Sequence, residues 1–153
     1  MSYPLFRAMV VALPMFVAPA PAFASEVEAS AMKYTNDGGY TAQFYIRYNL
    51  DDGSNCKVRP KGMDVVNLVN SDTVTYVLSD QMMVKDGGQA CLTESGYIRE
   101  GHEVWGYVEI AYGSNEGCKK DKTVIFRQRG GTIKYKTKGS TLNNNRCQVA
   151  SWP

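Results

Sequence analysis

Alternation of apolar and polar residues with a period of two constrains the fold of this chain more than any other feature. It is plainest in residues 41–48, where Ala42, Phe44, Ile46 and Tyr48 would share one face of a strand. Segments of similar character predict further strands at residues 65–69, 74–78, 104–111, 123–127 and 132–138. No window has the spacing of an amphipathic helix. We therefore predict an all-β domain folded as a β-sandwich of the immunoglobulin or C2-like kind.

Export is predicted from the first 24 residues. They contain a positive residue, an apolar run and the small residues of 22–24, which is the layout of a cleavable signal peptide. The apolar run is about 11 residues long and ends at prolines, whereas a membrane span needs roughly 20 apolar residues. We expect cleavage after Ala24, one domain over residues 25–153 whose compact part starts near Ser30, and a secreted or periplasmic location.

Four cysteines, Cys56, Cys91, Cys118 and Cys147, all follow the predicted cleavage point. An even number of cysteines in an exported chain favours two disulfides, and three pairings are open from the sequence alone. A zinc site is the alternative. It lacks support because no two cysteines have the close Cys-x-x-Cys spacing and His102 is the only histidine.

Charge is nearly balanced, with a formal net charge of +2, so the sequence gives no case for a nucleic-acid partner. Basic residues are concentrated in the second half of the chain, and the predicted strand 132–138 places Lys134, Lys136 and Lys138 on one face. Such a face either favours an anionic surface or is the solvated side of a half-buried strand.

No constellation of catalytic residues is evident. His102 is the only imidazole, and it lies in an acidic loop between predicted strands, where a solvated turn residue is the simpler interpretation. An acidic cluster at 51–55 could bind calcium, although its Asp, Gly and Asn residues are typical of a plain turn. A catalytic pair of carboxylates distant in sequence stays open. We predict a protein that is not an enzyme and that holds no cofactor and no metal.

Two motifs near the ends of the domain resemble one known family. Residues 36–46 read Asn-Asp-Gly-Gly-Tyr-Thr-Ala-Gln-Phe-Tyr-Ile, and residues 138–144 read Lys-Gly-Ser-Thr-Leu-Asn-Asn. The first resembles the opening, and the second the ending, of the C-terminal β-sandwich domain of thiol-activated, cholesterol-dependent cytolysins and its small stand-alone secreted relatives. The resemblance covers most of residues 34–147, and its specific part is confined to these two motifs.

The resemblance implies a site as well as a fold. In the cytolysins this domain meets cholesterol-rich membranes through loops at one tip, and a Thr-Leu pair there recognises the sterol. The matching loops here are 38–41, 101–104, 112–120 and 139–143. The implied ligand-binding residues are Gly39, Tyr40, His102, Tyr112, Thr141 and Leu142. The same geometry would bring Cys118 close to Cys147, which leaves Cys56 to pair with Cys91.

One departure from the family limits this expectation. The tryptophan-rich tip segment of the cytolysins is replaced by the polar residues of 112–120, whose transfer into hydrocarbon would cost several kcal/mol. Burial of Leu142 supplies about 1.5–3 kcal/mol, whereas micromolar affinity requires about 8 kcal/mol. We therefore do not expect deep insertion. The resemblance also implies no perforation of a membrane by this chain itself, because pore formation in the cytolysins uses large regions outside this domain.

The predicted function is that of a secreted, non-enzymatic recognition module that binds a lipid, sterol or glycan surface through its tip loops. The alternative is a periplasmic or extracellular module that binds or inhibits a protein partner. That alternative would use the same loops or an exposed sheet face, and surface Tyr45, Tyr112 and Trp105 could form its binding patch, unless Trp105 belongs to the core.

Overall fold

The computed structural model describes residues 25–63, 68–118, 121–141 and 145–153. The predicted signal peptide, the candidate site residue Leu142 and most of the predicted strand 65–69 lie outside these ranges.

Ten β-strands account for most of the described residues, and a single 3-10 turn at Gln89–Cys91 is the one helical segment among them. The strands are β1 Glu26–Gly38, β2 Ala42–Asn49, β3 Asn55–Pro60, β4 Thr73–Val77, β5 Met82–Asp86, β6 Val104–Ile110, β7 Glu116–Gly117, β8 Thr123–Phe126, β9 Gly131–Gly139 and β10 Cys147–Ser151.

The strands form two five-stranded sheets packed against each other. The first has the order β10-β9-β1-β4, with β8 also paired to β1, and the second has the order β5-β3-β2-β6-β7. Strand β1 pairs in parallel with β8 and with β9, whereas the other strand pairs described are antiparallel. The predicted all-β sandwich is confirmed, and its parallel pairs distinguish it from wholly antiparallel immunoglobulin sheets.

The core lies between the two sheets and is centred on aromatic rings. Tyr34 of β1 stacks on Phe44 of β2 with 4.8 Å between ring centroids. Phe44 also lies 5.4 Å from the ring of Tyr76 and 6.0 Å from that of Tyr135. Because rings from both sheets meet at Phe44, this cluster fixes how one sheet sits on the other.

The alternation that predicted β2 is confirmed side chain by side chain. Ala42, Phe44, Ile46 and Tyr48 face the core, and none of them is more than 2% exposed. Strands β1, β3, β5, β7 and β10 were not predicted. In β1, which begins at Glu26 rather than near Ser30, the cause is its turn-like ending, since the residues of 36–39 are Asn, Asp and two glycines.

Both disulfides expected from the resemblance are present. Cys118, which follows β7, is bonded to Cys147 at the start of β10, and this bond joins the two sheets along one edge. Cys56 of β3 is bonded to Cys91, which fastens the 3-10 turn to the second sheet.

Candidate functional site

Strand register brings three of the four predicted loops to one end of the sandwich. In the first sheet, β1 and β9 run in parallel and end together, with Gly38 opposite Gly139. In the second sheet, Ala42 at the start of β2 lies opposite Ile110 at the end of β6. The loops attached to these strand ends, at 39–41, 111–115 and 140–141, therefore emerge side by side.

Backbone hydrogen bonds join the 39–41 loop to its neighbours on both sides. The Gly39 amide donates to the Gly139 carbonyl oxygen at 3.0 Å. The Ala111 amide donates to the Thr41 carbonyl oxygen, also at 3.0 Å. The loop is thus fixed to the end of β9 in one sheet and to the end of β6 in the other.

The 111–115 hairpin loop also touches the segment that contains the Thr-Leu motif. The Asn145 side-chain amide donates to the Ser114 carbonyl oxygen at 3.3 Å. A Cβ atom placed on Gly113 would lie 3.1 Å from the Thr141 carbonyl oxygen and 2.7 Å from the Ile110 side chain. A larger residue at 113 would crowd both the Ile110 side chain and the neighbouring loop, which shows how closely the two loops approach.

The loop that contains His102 lies at the opposite end, so the expected convergence is wrong for residues 101–104. Val104, the first residue of β6, pairs with Tyr48 near the far end of β2. The His102 Nδ1 is 3.0 Å from the Asn49 carbonyl oxygen and 4.0 Å from a carboxylate oxygen of Asp51. The seven residues of β6 put about 23 Å of strand between this loop and the other three.

A segment that was not predicted from the sequence, residues 68–72, lies at the end of the sandwich where residues 101–104 were expected. Leu68 forms an isolated bridge with Ala42, and the turn that follows it is closed by a hydrogen bond from the Val69 amide to the Asp72 carboxylate at 2.9 Å. The Ser71 amide donates to the Asn36 carbonyl oxygen, which ties the turn to β1. We use the term tip for residues 38–41, 69–72, 111–115 and 139–141.

The strand predicted at 65–69 included Val69, and for that reason the turn after Leu68 was not predicted. The signal that could have revealed them is the run Asn70-Ser71-Asp72 directly after the valine, since these residues favour turns. The side chain of Val69 is 52% exposed, more than that of any other large apolar residue described except Tyr112.

The tip rests on the buried side chain of Asn36. Its amide nitrogen donates to the carbonyl oxygens of Tyr40 at 2.7 Å and Leu68 at 2.9 Å. Its amide oxygen accepts from the Gly38 amide at 2.9 Å and from the Thr137 hydroxyl at 3.3 Å. Two donors and two acceptor positions are all that an asparagine side chain offers, so every one of them is used.

Asn36 is completely buried, and the network continues away from the tip to Tyr34, whose hydroxyl lies 2.6 Å from that of Thr137. Burial raises the pKa of Tyr34 above the usual range for a phenol, so this hydroxyl stays protonated and can donate to Thr137. A fully satisfied buried network holds its members in one arrangement. The tip is therefore a set of loops on a fixed base.

Tyr40 belongs to this base rather than to the contact surface. Its side chain is 7% exposed, and its ring fills the space where a Cβ atom on Gly38 would be. Its hydroxyl donates to the Lys138 carbonyl oxygen at 3.4 Å, and burial raises its pKa. A ligand at the tip would meet Gly39, which is exposed, but not the Tyr40 ring.

Tyr112 is the most prominent side chain of the tip. It is 100% exposed and its backbone has a φ of 59°, in the left-handed region that non-glycine residues seldom adopt. Thr141 is partly exposed beside it, and Leu142 lies outside the described residues. The apolar groups that the described tip offers to a partner are therefore mainly Val69 and Tyr112.

A shallow cleft of about 270 Å³ opens next to the tip. It is lined by Thr41, Gln43, Glu109, Ile110, Ala111 and Asn115. The lining is mainly polar and the volume lies below the range of pockets that enclose small molecules. Any lipid recognised here would be held by surface contact and not by enclosure.

Within the described ranges, no group of His, Cys, Asp and Glu side chains is arranged to hold a metal ion. The same residues include no helix with the length and apolar character needed to cross a bilayer.

The outer face of the second sheet does not display the aromatic patch considered above. Tyr45 is 2% exposed and Trp105 is 9% exposed. The Lys57 ammonium lies 5.2 Å from the Tyr45 ring centroid and forms a 2.6 Å ion pair with Glu109, so charged side chains cover the Tyr45 ring. Of the three aromatic residues named for a protein-binding patch, Tyr112 alone is exposed, and it lies on a tip loop.

Comparison with known proteins identifies similar solved structures. No protein-family model and no curated protein matches the sequence. The chain is similar to pneumolysin, at 15% identity and a TM-score of 0.39 over 81% of this chain and 23% of that one. It is similar to the membrane-binding domain of pneumolysin at 16% identity and a TM-score of 0.34, over 78% of this chain and 92% of that domain.

A third similar structure is a disulfide-locked mutant of intermedilysin with human CD59, at 14% identity and a TM-score of 0.32 over 73% of this chain and 22% of that one. The chain thus spans less than a quarter of the length of the whole toxins that it matches. These solved structures belong to the family that the two motifs resemble, and at TM-scores below 0.5 they carry no argument about fold or function.

Proposed function

We propose that this domain is an exported, non-catalytic recognition module that contacts a lipid surface, with sterol as the favoured component, through its tip. The observation that carries the proposal is the presence of two exposed apolar side chains on anchored loops: Val69 follows Leu68, which Asn36 binds, and Tyr112 follows Ala111, whose amide binds the Thr41 carbonyl oxygen. A rigid base supports the proposal because little conformational entropy is lost when such loops meet a surface.

The chemistry of the tip suits the boundary between water and lipid. Tyrosine has an apolar ring and a polar hydroxyl, and it is enriched at membrane interfaces for that reason. The motif resemblance adds Thr141 and Leu142 as the pair that would contact sterol. The polar residues of 113–117 next to Tyr112 would keep the contact shallow.

Energetics predict weak attachment by a single copy. Burial of Tyr112 and Leu142 from full exposure would supply roughly 1.5–3 kcal/mol each, and Val69, which is 52% exposed, about half as much, before the costs of association are subtracted. Micromolar affinity requires about 8 kcal/mol, so one tip reaches that level at best. Presentation of several copies on one scaffold would strengthen binding by about 10²-fold or more.

Flotation with liposomes tests the proposal. We expect the protein to float with sterol-containing liposomes more than with sterol-free ones, and Val69→Ser with Tyr112→Ser to abolish flotation. A Tyr97→Ser variant is the matched control, because Tyr97 is 38% exposed but lies outside the tip. Absence of binding to both kinds of liposome would overturn the lipid proposal.

Further variants test whether sterol is recognised and distinguish lipid binding from binding to a protein partner. Thr141→Gly with Leu142→Gly should remove the preference for sterol, and His102→Ala should leave flotation unchanged because His102 lies at the other end. Binding to protein-containing cell membranes but not to liposomes of the same lipids would favour a protein partner instead.

A further inference from the structure

The outer face of the first sheet has a concentration of positive charge that the tip does not explain. Lys134, Lys136 and Lys138 alternate along β9 with residues buried in the core. Lys33 of the neighbouring strand β1 faces solvent on the same side, directly opposite Lys134. We call these four side chains the lysine face.

The charges of the lysine face have no ion-pair partners among the described residues. Asp37, opposite Lys138, is the only acidic residue of β1 in register with this part of β9. Lys33 and Lys134 lie one strand spacing apart, about 4.8 Å, and like charges in that position destabilise a sheet. An anion bound across them would remove this repulsion.

Hydroxyl and amide groups border the lysine face on both sides. Thr35 lies opposite Lys136 on β1, and Thr73 continues the row onto β4. On the other side Gln148 of β10 lies opposite Lys136. These are groups that exchange hydrogen bonds with sugar hydroxyls.

The direction of the lysine face distinguishes between possible anionic partners. Lys134 and Lys138 are four residues apart on one strand, about 13 Å along its axis, and Lys138 is the one next to the tip. A flat bilayer that meets the tip would therefore reach Lys138 and leave Lys33 and Lys134 in solution. A linear chain of anionic groups that runs along the strands could contact all four.

Nucleic acid is a poorer fit than a polysaccharide. Proteins that bind single strands provide aromatic rings on which bases stack. The aromatic residues of β1, β4 and β9 are Tyr34, Tyr76 and Tyr135, and all three are buried. The net charge of the whole chain is only +2, which is small for a surface that follows a duplex.

We propose that the lysine face is a second binding site, for a linear acidic polysaccharide whose sulfate or carboxylate groups follow the strands β9 and β1. It would hold the domain in the glycan layer above a cell membrane and leave the tip free for the lipid.

Isothermal titration of the purified protein with heparin, a linear sulfated polysaccharide, tests this site. The variant is Lys33→Gln, Lys134→Gln and Lys136→Gln, with Lys138 kept because it adjoins the tip. The control is Lys61→Gln, Lys85→Gln and Arg99→Gln, which removes the same charge from exposed positions elsewhere. We expect the variant to bind heparin about tenfold more weakly, or worse, and the control to change less than about twofold.

Salt dependence provides an independent measurement. A plot of log K against log salt has a negative slope, and each lost contact should reduce its magnitude by nearly one. The magnitude should therefore fall by about 2–3 in the variant and stay unchanged in the control. Equal losses in variant and control, tighter binding to double-stranded DNA than to heparin, or no heparin binding at 0.15 M salt would each overturn the proposal.

Liposome flotation keeps this proposal separate from that of the tip. The lysine-face variant should float with sterol-containing liposomes as the unmodified protein does. If the variant instead loses flotation with anionic liposomes and keeps its heparin affinity, the face serves a membrane and the polysaccharide proposal is wrong.

Discussion

Tyr112 combines a strained backbone with a completely exposed ring. Left-handed backbone costs a non-glycine residue roughly 1–2 kcal/mol, and an exposed ring offsets little of that cost. If the ring serves binding, stability and function should conflict at this position. Such conflicts are typical of functional sites.

Replacement of Tyr112 by glycine should therefore stabilise the fold and weaken binding together. We expect Tyr112→Gly to raise the free energy of unfolding by about 1 kcal/mol in urea denaturation and to reduce liposome flotation. Tyr112→Phe should keep most of the binding. Asp121→Gly is the matched control, since Asp121 also has a positive φ of 49° but lies outside the tip. It should gain stability with flotation unchanged, and a destabilised Tyr112→Gly would contradict this account.

Asn36 should be among the most sensitive polar positions of the chain. Asn36→Ala would leave the carbonyl oxygen of Tyr40 and the Gly38 amide without their partners, and the Leu68 carbonyl oxygen would keep only the Ala42 amide. We expect a loss of about 3 kcal/mol in the free energy of unfolding, measured by urea denaturation. The exposed Asn70→Ala serves as control and should stay within about 0.5 kcal/mol. A loss below about 1 kcal/mol for Asn36→Ala would show that the network does not support the tip.

Single residues of the site were only partly predictable. Tyr112 and Thr141 were expected at one end and lie there. The burial of Tyr40 was not foreseeable, because it depends on the ring folding back over Gly38. Asn36 looks like a turn residue in the sequence, and its role appears only when Leu68 and Thr137 are brought to it by other strands.

At the scale of strands, the position of the His102 loop follows from simple geometry. Residues 101–104 and 112–120 flank the same predicted strand, and the two ends of a strand lie at opposite ends of a sheet. The strand prediction at 104–111 was itself sound, since β6 spans Val104–Ile110. Strand direction alone thus excludes the placement of the 101–104 loop at the same end as the 112–120 loop, which the family resemblance implied.

Strands with clear alternation and turn residues at their ends were predicted, and the others were not. Strand β3 alternates Cys56 and Val58 with charged residues, but a proline ends it, and proline argues against a strand interior. Strand β10 is short and follows a segment rich in asparagine. Their pairing depends on distant partners, and local sequence does not specify those.

The two disulfides provide a matched test of how elements support the tip. They close loops of similar length, with sequence separations of 35 and 29 residues. Loss of either should destabilise the fold by about 3–4 kcal/mol. Only Cys118–Cys147 lies between the segments that carry the 111–115 and 139–141 loops.

We expect Cys118→Ser with Cys147→Ser to weaken liposome flotation beyond its effect on the melting temperature. Cys56→Ser with Cys91→Ser should lower the melting temperature similarly and leave flotation of the folded protein unchanged. Measurements are made well below both melting temperatures. Equal flotation of the two double variants would show that the tip does not depend on the edge disulfide.

For the molecule as a whole, the sandwich separates two surfaces by direction. The tip lies at the ends of the strands, and the lysine face lies along their sides. One surface presents apolar groups on a fixed base, and the other presents unpaired positive charge. If both proposals hold, the same domain would meet a lipid layer and an anionic polymer at once, and each contact could be measured with variants that leave the other intact.

Hydrogen exchange of backbone amides with and without sterol-containing liposomes tests the central claim most directly. We expect the backbone amides of residues 39–41, 69–72 and 111–115 to exchange more slowly when liposomes are present. We expect no change at the opposite end, in residues 50–54 and 101–103. Protection confined to that opposite end, or an exchange pattern that liposomes do not alter at all, would contradict the assignment of the tip as the surface that meets the lipid.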